Sequence, residues 1–151
     1  MELKKAPGST VSTLPQRIQT FYKRVSDEGS AALSELDALF TKDIHFMNPV
    51  VDEKGIDTFR AQWKRAFSMY TTFKFTPLEV LGDEEHFTLS YEMSVGFFIG
   101  PVLVIPLVTE CRGRNGKVYW MRDYFDTMTT LLQPVPPLLW LYKTVMRALV
   151  A

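Results

Sequence analysis

Apolar residues recur every three to four positions between Pro15 and Tyr70, a spacing typical of amphipathic helices. The pattern predicts a helix over about residues 15–27 and a second helix that begins at a Ser30 cap and extends to Phe40. A third helix begins near Gly55 and Asp57 and ends at Tyr70. A short strand over residues 44–48 lies between the second and third helices, and Pro49 ends it.

Beyond Tyr70 the apolar period shortens to about two residues, which predicts β-strands. Turn signals separate them, and the strongest is Asn115-Gly116, a pair typical of tight hairpins. The strands predicted here cover about residues 73–80, 87–98, 102–112 and 118–131. A Pro-rich linker over residues 133–137 follows, and the spacing of apolar residues then predicts a final helix over residues 138–150.

The run from Met93 to Thr109 carries no charge, so its length raises the question of a membrane-spanning helix. Glycines and prolines interrupt it, and each proline inside a helix costs about 3 kcal/mol. The run therefore indicates a hairpin that turns near Gly100 and Pro101. One apolar face of this hairpin exceeds what three helices can cover, which favours a homodimer formed through the sheet.

These elements divide the chain into three parts: a flexible arm over residues 1–12, an α+β domain over residues 13–132, and the linker with its apolar helix over residues 133–151. Three helices must bury their apolar stripes on one face of a curved antiparallel sheet, so the fold class is an α+β cone that encloses a pocket. The last helix either closes the pocket or forms an interface with a partner. Its only cations are Lys143 and Arg147, so a membrane is not an expected partner.

Composition limits the function further. The chain has 151 residues, and its 17 basic side chains balance 17 acidic ones, so no nucleic-acid partner is expected. A single cysteine, Cys111, cannot form a disulfide within the chain, which suits a reducing compartment and predicts a cytoplasmic location. Two histidines and one cysteine do not favour a metal site, and we expect neither a metal nor another cofactor.

Two short motifs carry a resemblance to a known superfamily. Over about residues 14–132 the chain resembles nuclear transport factor 2-like proteins, which include SnoaL-like polyketide cyclases, ketosteroid isomerases and limonene-1,2-epoxide hydrolases. The resemblance implies a cone-shaped fold and an apolar small molecule in its pocket. The motifs are Ile44-His45-Phe46-Met47-Asn48-Pro49 and Met121-Arg122-Asp123-Tyr124-Phe125-Asp126.

The resemblance also implies roles for single residues. In the epoxide hydrolases an Asp-Arg-Asp group, a Tyr and an Asn activate a water; Asp123 matches the final-strand Asp and Asn48 matches the Asn, while Phe46 replaces the Tyr. In the ketosteroid isomerases the position of Asn48 holds the acid that acts as base, and that of Phe21 holds an oxyanion-binding Tyr. Asparagine does not take up a proton at useful pH, so isomerase chemistry of that kind is not predicted.

An alignment without gaps, counted back from Asp123, puts Glu92 in the place of the hydrolases' second acid and Ser90 in the place of their Arg. A slip of two residues would put Ser94 or Ser90 in these roles instead. Neither alignment supplies an arginine between two acids, so epoxide hydrolysis by that arrangement is not expected.

The residue pattern of the last strand supports a prediction that does not depend on the resemblance. Alternation puts Asp123 on one face with Tyr119, Met121 and Phe125, so one carboxylate lies among apolar side chains. Loss of water should raise its pKa towards neutrality, which is what an acid–base catalyst needs. The alternative is that Asp123 pairs with an arginine, Arg60 or Arg65, in a structural role.

We therefore predict a SnoaL-like enzyme, a lyase, isomerase, cyclase or hydrolase, that acts on an apolar substrate with Asp123 as acid–base and Glu92 and Asn48 assisting. A non-catalytic carrier and a dimeric interaction module are the alternatives. The residues predicted to line the pocket are Phe21, Phe46, Trp63, Phe67, Ser90, Ser94, Tyr119, Met121 and Phe125.

Overall fold

Helices cover one face of a single mixed sheet in the structure, a computed structural model that describes residues 12–150. The predicted arm over residues 1–12 lies almost wholly outside the described residues. The helices are α1 (Leu14–Glu28), α2 (Leu36–Leu39), which a 3-10 helix (Gly29–Glu35) precedes, α3 (Ile56–Met69), α4 (Thr127–Leu132) and α5 (Pro136–Val150). The strands are β1 (Phe40–Asn48), β2 (Val51–Lys54), β3 (Thr72–Gly82), β4 (His86–Gly96), β5 (Leu103–Arg114) and β6 (Lys117–Tyr124).

The amphipathic helices α1 and α3 confirm the helical spacing read from the sequence. The backbone N–H of Thr13 donates to Oε1 of Gln16 at 3.0 Å, which satisfies one donor at the start of α1. The buried stripe of α3 consists of Ile56, Phe59 and Trp63, spaced three to four residues apart as a helix face requires. Both helices bury these stripes against the sheet, as the α+β fold class predicted.

The sheet has six strands in the order β2-β1-β6-β5-β4-β3, with β1 and β6 parallel and the other neighbours antiparallel. The sequence predicted a helix as far as Phe40 and no counterpart of β2. Phe40 and Ile44 are both buried on β1, four residues apart. Residues at i and i+4 share one face of a strand and also one face of a helix, so this spacing imitates a helix.

Alternation along β4 decides which of its side chains face the helices. Leu89 and Tyr91 are buried on the inner face, whereas Glu92 between Tyr91 and Met93 is exposed on the outer face. The neighbouring strand β5 alternates in the same way, with Leu107 and Thr109 buried on the inner face. The core therefore lies between this face and the helices.

The last strand is shorter than predicted and contains an irregularity. A register shift against β5 leaves Val118 and Met121 both buried, with Tyr119 between them only half-buried. The strand ends at Tyr124 because Asp126 begins α4, its side chain accepting the backbone N–H of Thr129 at 2.9 Å. The prediction of a strand as far as Leu131 was wrong for this reason.

The C-terminal helix α5 has no buried residue, and no residue of α5 lines a cavity. The predicted closure of the pocket by this helix is therefore not what the structure shows. The side chain of Gln133 holds the segment before α5 against β5, accepting the N–H of Val104 at 3.2 Å and donating to its carbonyl at 2.9 Å. None of the helices between residues 12 and 150 is long and apolar enough to cross a membrane.

Candidate functional site

A cavity of about 310 Å³ lies between the helices and the inner face of the sheet. Its walls are mainly aromatic and aliphatic, with few polar groups, as is typical of small-molecule sites. The lining residues are Tyr22, Phe46, Asn48, Val50, Val51, Phe59, Gln62, Trp63, Arg65, Ala66, Met69, Tyr70, Phe73, Phe75, Tyr91, Met93, Leu107, Met121, Asp123 and Phe125.

The cavity opens between the C-terminal half of α3 and the turn that joins β1 to β2. Arg65 and Met69 on α3 and Val50 in the turn are lining residues that are also exposed. Asn48 fixes this turn, since its Oδ1 accepts the backbone N–H of Val50 at 2.8 Å. Asn48 therefore lies at the mouth of the cavity and also shapes it.

Asp123 supplies the only carboxylate among the residues that line the described cavity. Its Oδ1 accepts a hydrogen bond of 2.6 Å from Oγ1 of Thr109, and Oγ1 lies 2.7 Å from the hydroxyl of Tyr91. Because Thr109 gives its one proton to the carboxylate, Tyr91 must donate to Thr109. The three side chains form a hydrogen-bonded row from β4 through β5 to β6.

Burial raises the pKa of Asp123 to about 7 from its usual 3.8, and the hydrogen bond from Thr109 opposes this rise. Burial also raises the pKa of the Tyr22 and Tyr91 hydroxyls well above 10.0, and the charge of Asp123 adds to both shifts. The tyrosines therefore stay protonated at neutral pH, while Asp123 exchanges a proton there.

No ion pair holds Asp123 within residues 12–150. Arg60, one of the two arginines considered as its partner, instead binds Asp37 at 2.6 Å and Asp57 at 3.2 Å. Arg65 lies in the cavity wall without a hydrogen bond to Asp123. Oδ2 of Asp123 accepts no hydrogen bond from the described residues, so it is free for a ligand.

Two of the aromatic residues predicted to line the pocket lie behind its wall. Phe21 is fully buried, with its ring centroid 5.7 Å from that of Trp63, and the next residue, Tyr22, lines the cavity instead. Phe67 packs against Trp63 and Phe73 without lining the cavity. The predicted residues found in the lining are Phe46, Trp63, Met121 and Phe125, together with Asn48 and Asp123.

The structure corrects the positions of four polar candidates. Glu92, Ser90 and Ser94 lie outside this cavity because they alternate with the inward Tyr91 on β4. The irregularity in β6 turns Tyr119 away, and its ring lies 4.9 Å from the guanidinium of Arg114. The second acid implied by the resemblance is therefore absent from the described cavity.

The site residues that the sequence analysis missed include Tyr22, Tyr91 and Thr109. Tyr22 follows Phe21 on α1, and either could have faced the pocket from spacing alone. Tyr91 shares the odd-numbered apolar face of β4, a signal that was available. Thr109 pairs directly with Asp123 across β5 and β6, a relationship that only the strand register reveals.

Trp63 adds one further polar feature. Its indole N–H is buried and has no hydrogen-bond partner among the described residues. A buried donor without a partner costs free energy. Residues 12–150 hold no cluster of three side chains able to bind a metal ion.

A family model described as a SnoaL-like domain matches residues 18–130 of the chain. A search of curated proteins found no match. Among solved structures, the chain is similar to a hypothetical protein from Catenulispora acidiphila with a ketosteroid isomerase-like fold, in complex with trimethylamine. The two are 17% identical with a TM-score of 0.69, over 82% of this chain and 94% of that one.

Two other similar structures are of proteins whose names include an activity. A putative SnoaL-like polyketide cyclase from Jannaschia is 16% identical with a TM-score of 0.66, over 86% of this chain and 97% of that one. An LEH-like epoxide hydrolase from M. tuberculosis is 14% identical with a TM-score of 0.68, over 87% of this chain and 96% of that one. Identities this low show the shared fold alone.

Proposed function

The chain belongs to the SnoaL-like domain family, and on that premise we propose that it is a small-molecule enzyme that moves a proton on an apolar substrate, with Asp123 as its acid–base group. One observation carries the proposal: the only carboxylate in the lining of the described cavity has a free oxygen and a pKa near 7. A carboxyl group with that pKa both accepts and returns a proton at neutral pH.

The composition of the cavity wall favours an apolar substrate with one polar end. Nine of its lining residues are aromatic, and its volume of about 310 Å³ suits a small organic molecule. Asn48 at the mouth adds an amide whose nitrogen is not used by the turn.

A non-catalytic carrier of the same kind of ligand is the second candidate. Phe46 occupies the position of a water-binding tyrosine, and the described cavity has no second acid and no arginine bound to Asp123. These features favour binding over hydrolysis. Lyase, isomerase and cyclase reactions need fewer groups than hydrolysis, because they use no activated water.

We also propose that two copies pair through the outer face of the sheet. Val104 and Val108 on β5 and Tyr124 on β6 leave an exposed apolar surface there. The cytoplasmic location expected from the sequence stays a prediction.

The test compares the wild type with Asp123→Asn and with Glu92→Gln, which removes an exposed carboxylate. Each protein is incubated with a panel of apolar epoxides, unsaturated ketones and polyketide-like cyclisation substrates, and products are followed by mass spectrometry. We expect turnover in the wild type and in Glu92→Gln, and a loss of about 100-fold or more in Asp123→Asn. A ligand that is bound but unchanged in all three proteins would support the carrier, and equal turnover in all three would exclude Asp123 as the acid–base group.

A further inference from the structure

The mouth of the cavity lies beside the turn that joins β4 to β5. The ring centroid of Tyr70, a lining residue at the end of α3, is 5.2 Å from that of Phe97 in this turn. The backbone N–H of Thr71 donates to the carbonyl of Gly96 at 2.8 Å. The turn and the mouth therefore lie at one end of the molecule.

This turn presents apolar side chains to solvent. Phe98 is 88% exposed and Ile99 is 92% exposed, and the exposed Val102 follows them just before β5. The run from Met93 to Thr109 contains no charged residue, so nothing charged flanks these side chains within the turn. We call residues 97–102 the apolar turn.

The C-terminal helix starts close to the apolar turn. Gln133 is hydrogen-bonded through its side chain to both backbone groups of Val104, two residues beyond the turn. Helix α5 then exposes its apolar stripe, including Leu138 and Leu141. An apolar helix that buries none of its residues in its own chain needs another surface to cover it.

The charges of α5 indicate the chemistry of that surface. Lys143 and Arg147 lie one helical turn apart, and residues 133–151 contain no acidic residue. Exposed Trp140 and half-buried Tyr142 lie on the same helix. Cations, aromatic side chains and an apolar stripe on one helix are typical of helices that lie in the surface of an anionic membrane.

We propose that the apolar turn and α5 together dock onto an anionic lipid surface, with the mouth of the cavity facing the lipid. A second copy of the chain fits this end less well, because its own apolar turn and residues 133–151 offer no acidic residue to pair with the cations of α5. The sequence alone argued against a membrane partner, since it did not show that α5 starts close to the apolar turn. If the proposed function holds, an apolar substrate reaches the cavity directly from the bilayer.

The test is flotation of the full chain with phosphatidylcholine vesicles, with and without phosphatidylglycerol. We expect binding that needs the anionic lipid and weakens with salt. Lys143→Gln combined with Arg147→Gln should weaken it roughly 25-fold, at about fivefold for each cation. Ile99→Asp should weaken it about tenfold or more, because one buried apolar side chain is lost.

Leu81→Asp is the matched control, since Leu81 is 58% exposed but lies at the opposite end of β3 from the apolar turn. It should float as the wild type does. Wild type that fails to float, or Ile99→Asp that floats as well as Leu81→Asp, would overturn the proposal. The proposal would also be overturned if the wild type bound no vesicles and light scattering showed that it is a dimer which Ile99→Asp converts into a monomer. Asp123→Asn should float normally, so the outcome is independent of the proposed acid–base role.

Discussion

The hydroxyl of Thr109 donates a hydrogen bond to Oδ1 of Asp123, with 2.6 Å between the two oxygens. The two residues are register partners on β5 and β6, and Tyr91 on β4 donates to the same hydroxyl. This row holds one carboxylate oxygen in place and leaves the other towards the cavity. It also opposes the rise in the pKa of Asp123 that burial causes.

Replacing Asp123 with asparagine should flatten the pH dependence of stability between about pH 4 and pH 7. The pKa of Asp123 is about 7 in the folded protein against a usual 3.8, so in this window the folded state holds a proton that the unfolded chain releases. Binding of this proton stabilises the folded state fully below the unfolded-state pKa of 3.8, and this stabilisation is lost as the pH rises through the folded-state pKa of about 7. At ~1.4 kcal/mol per pH unit the loss approaches roughly 4 kcal/mol.

Urea unfolding at about pH 5 and about pH 8 measures the effect. Asp123→Asn should be more stable than the wild type at the higher pH, with a smaller difference at the lower pH. Glu92→Gln removes an exposed carboxylate and should follow the wild type at both. If the free energy of unfolding changed equally with pH in Asp123→Asn and in the wild type, Asp123 would be ionised at both pH values, against the acid–base proposal.

Replacing Thr109 with valine should raise the pKa of Asp123 further. Valine keeps the shape of threonine but removes the hydrogen bond that lowers this pKa. The Tyr91 hydroxyl also loses its acceptor, which should cost about 1–3 kcal/mol of stability. Carbon-13 NMR of the Asp123 carboxyl measures the pKa, and Thr109→Ser, which keeps the hydroxyl, should titrate like the wild type. An unchanged pKa in Thr109→Val would show that the hydrogen bond does not control the titration.

Much of the fold follows from local sequence patterns, and the errors in predicting it also have local causes. The stripes of α1 and α3 and the alternation of β4 and β5 are regular, so spacing alone predicted them. Phe40 and Ile44 are four residues apart and buried on the same strand, a spacing that also fits one face of a helix, and this imitated a helix. The capping of α4 by Asp126 was equally hidden among strand-like residues.

The residues of the candidate site could be predicted only where the pattern within a single strand was sufficient. Alternation on the last strand identified Asp123, but its partners Thr109 and Tyr91 depend on registers between strands, which spacing does not provide. Glu92 was predicted as a site residue from an alignment without gaps to the resembling family. The apolar residues at odd positions of β4 already indicated that the side chain of Glu92 faces outward. The alternation was the better guide there.

Val108→Asp should convert a homodimer into a monomer. Val108 is 41% exposed on the outer face of β5, where we propose that two copies meet, and a buried carboxylate without a partner would oppose the contact. Because the site is exposed in the single chain, the stability of the monomer should change by only about 0.5 kcal/mol. Light scattering at micromolar concentration measures the mass, with Leu81→Asp as the control outside the interface. A wild type that is already monomeric would reject the dimer.

Deleting residues 136–151 should leave the thermal unfolding of the domain within about 2–4 °C of the full chain, because α5 buries no side chain. The deletion keeps Gln133, whose two hydrogen bonds to Val104 hold the preceding segment on β5. Binding of a hydrophobic dye should fall, since the exposed stripe of α5 is removed. A loss of stability and more dye binding would instead show that α5 covers part of the domain. Gln133→Ala in the full chain separates the anchor from the helix, because it removes only the two hydrogen bonds.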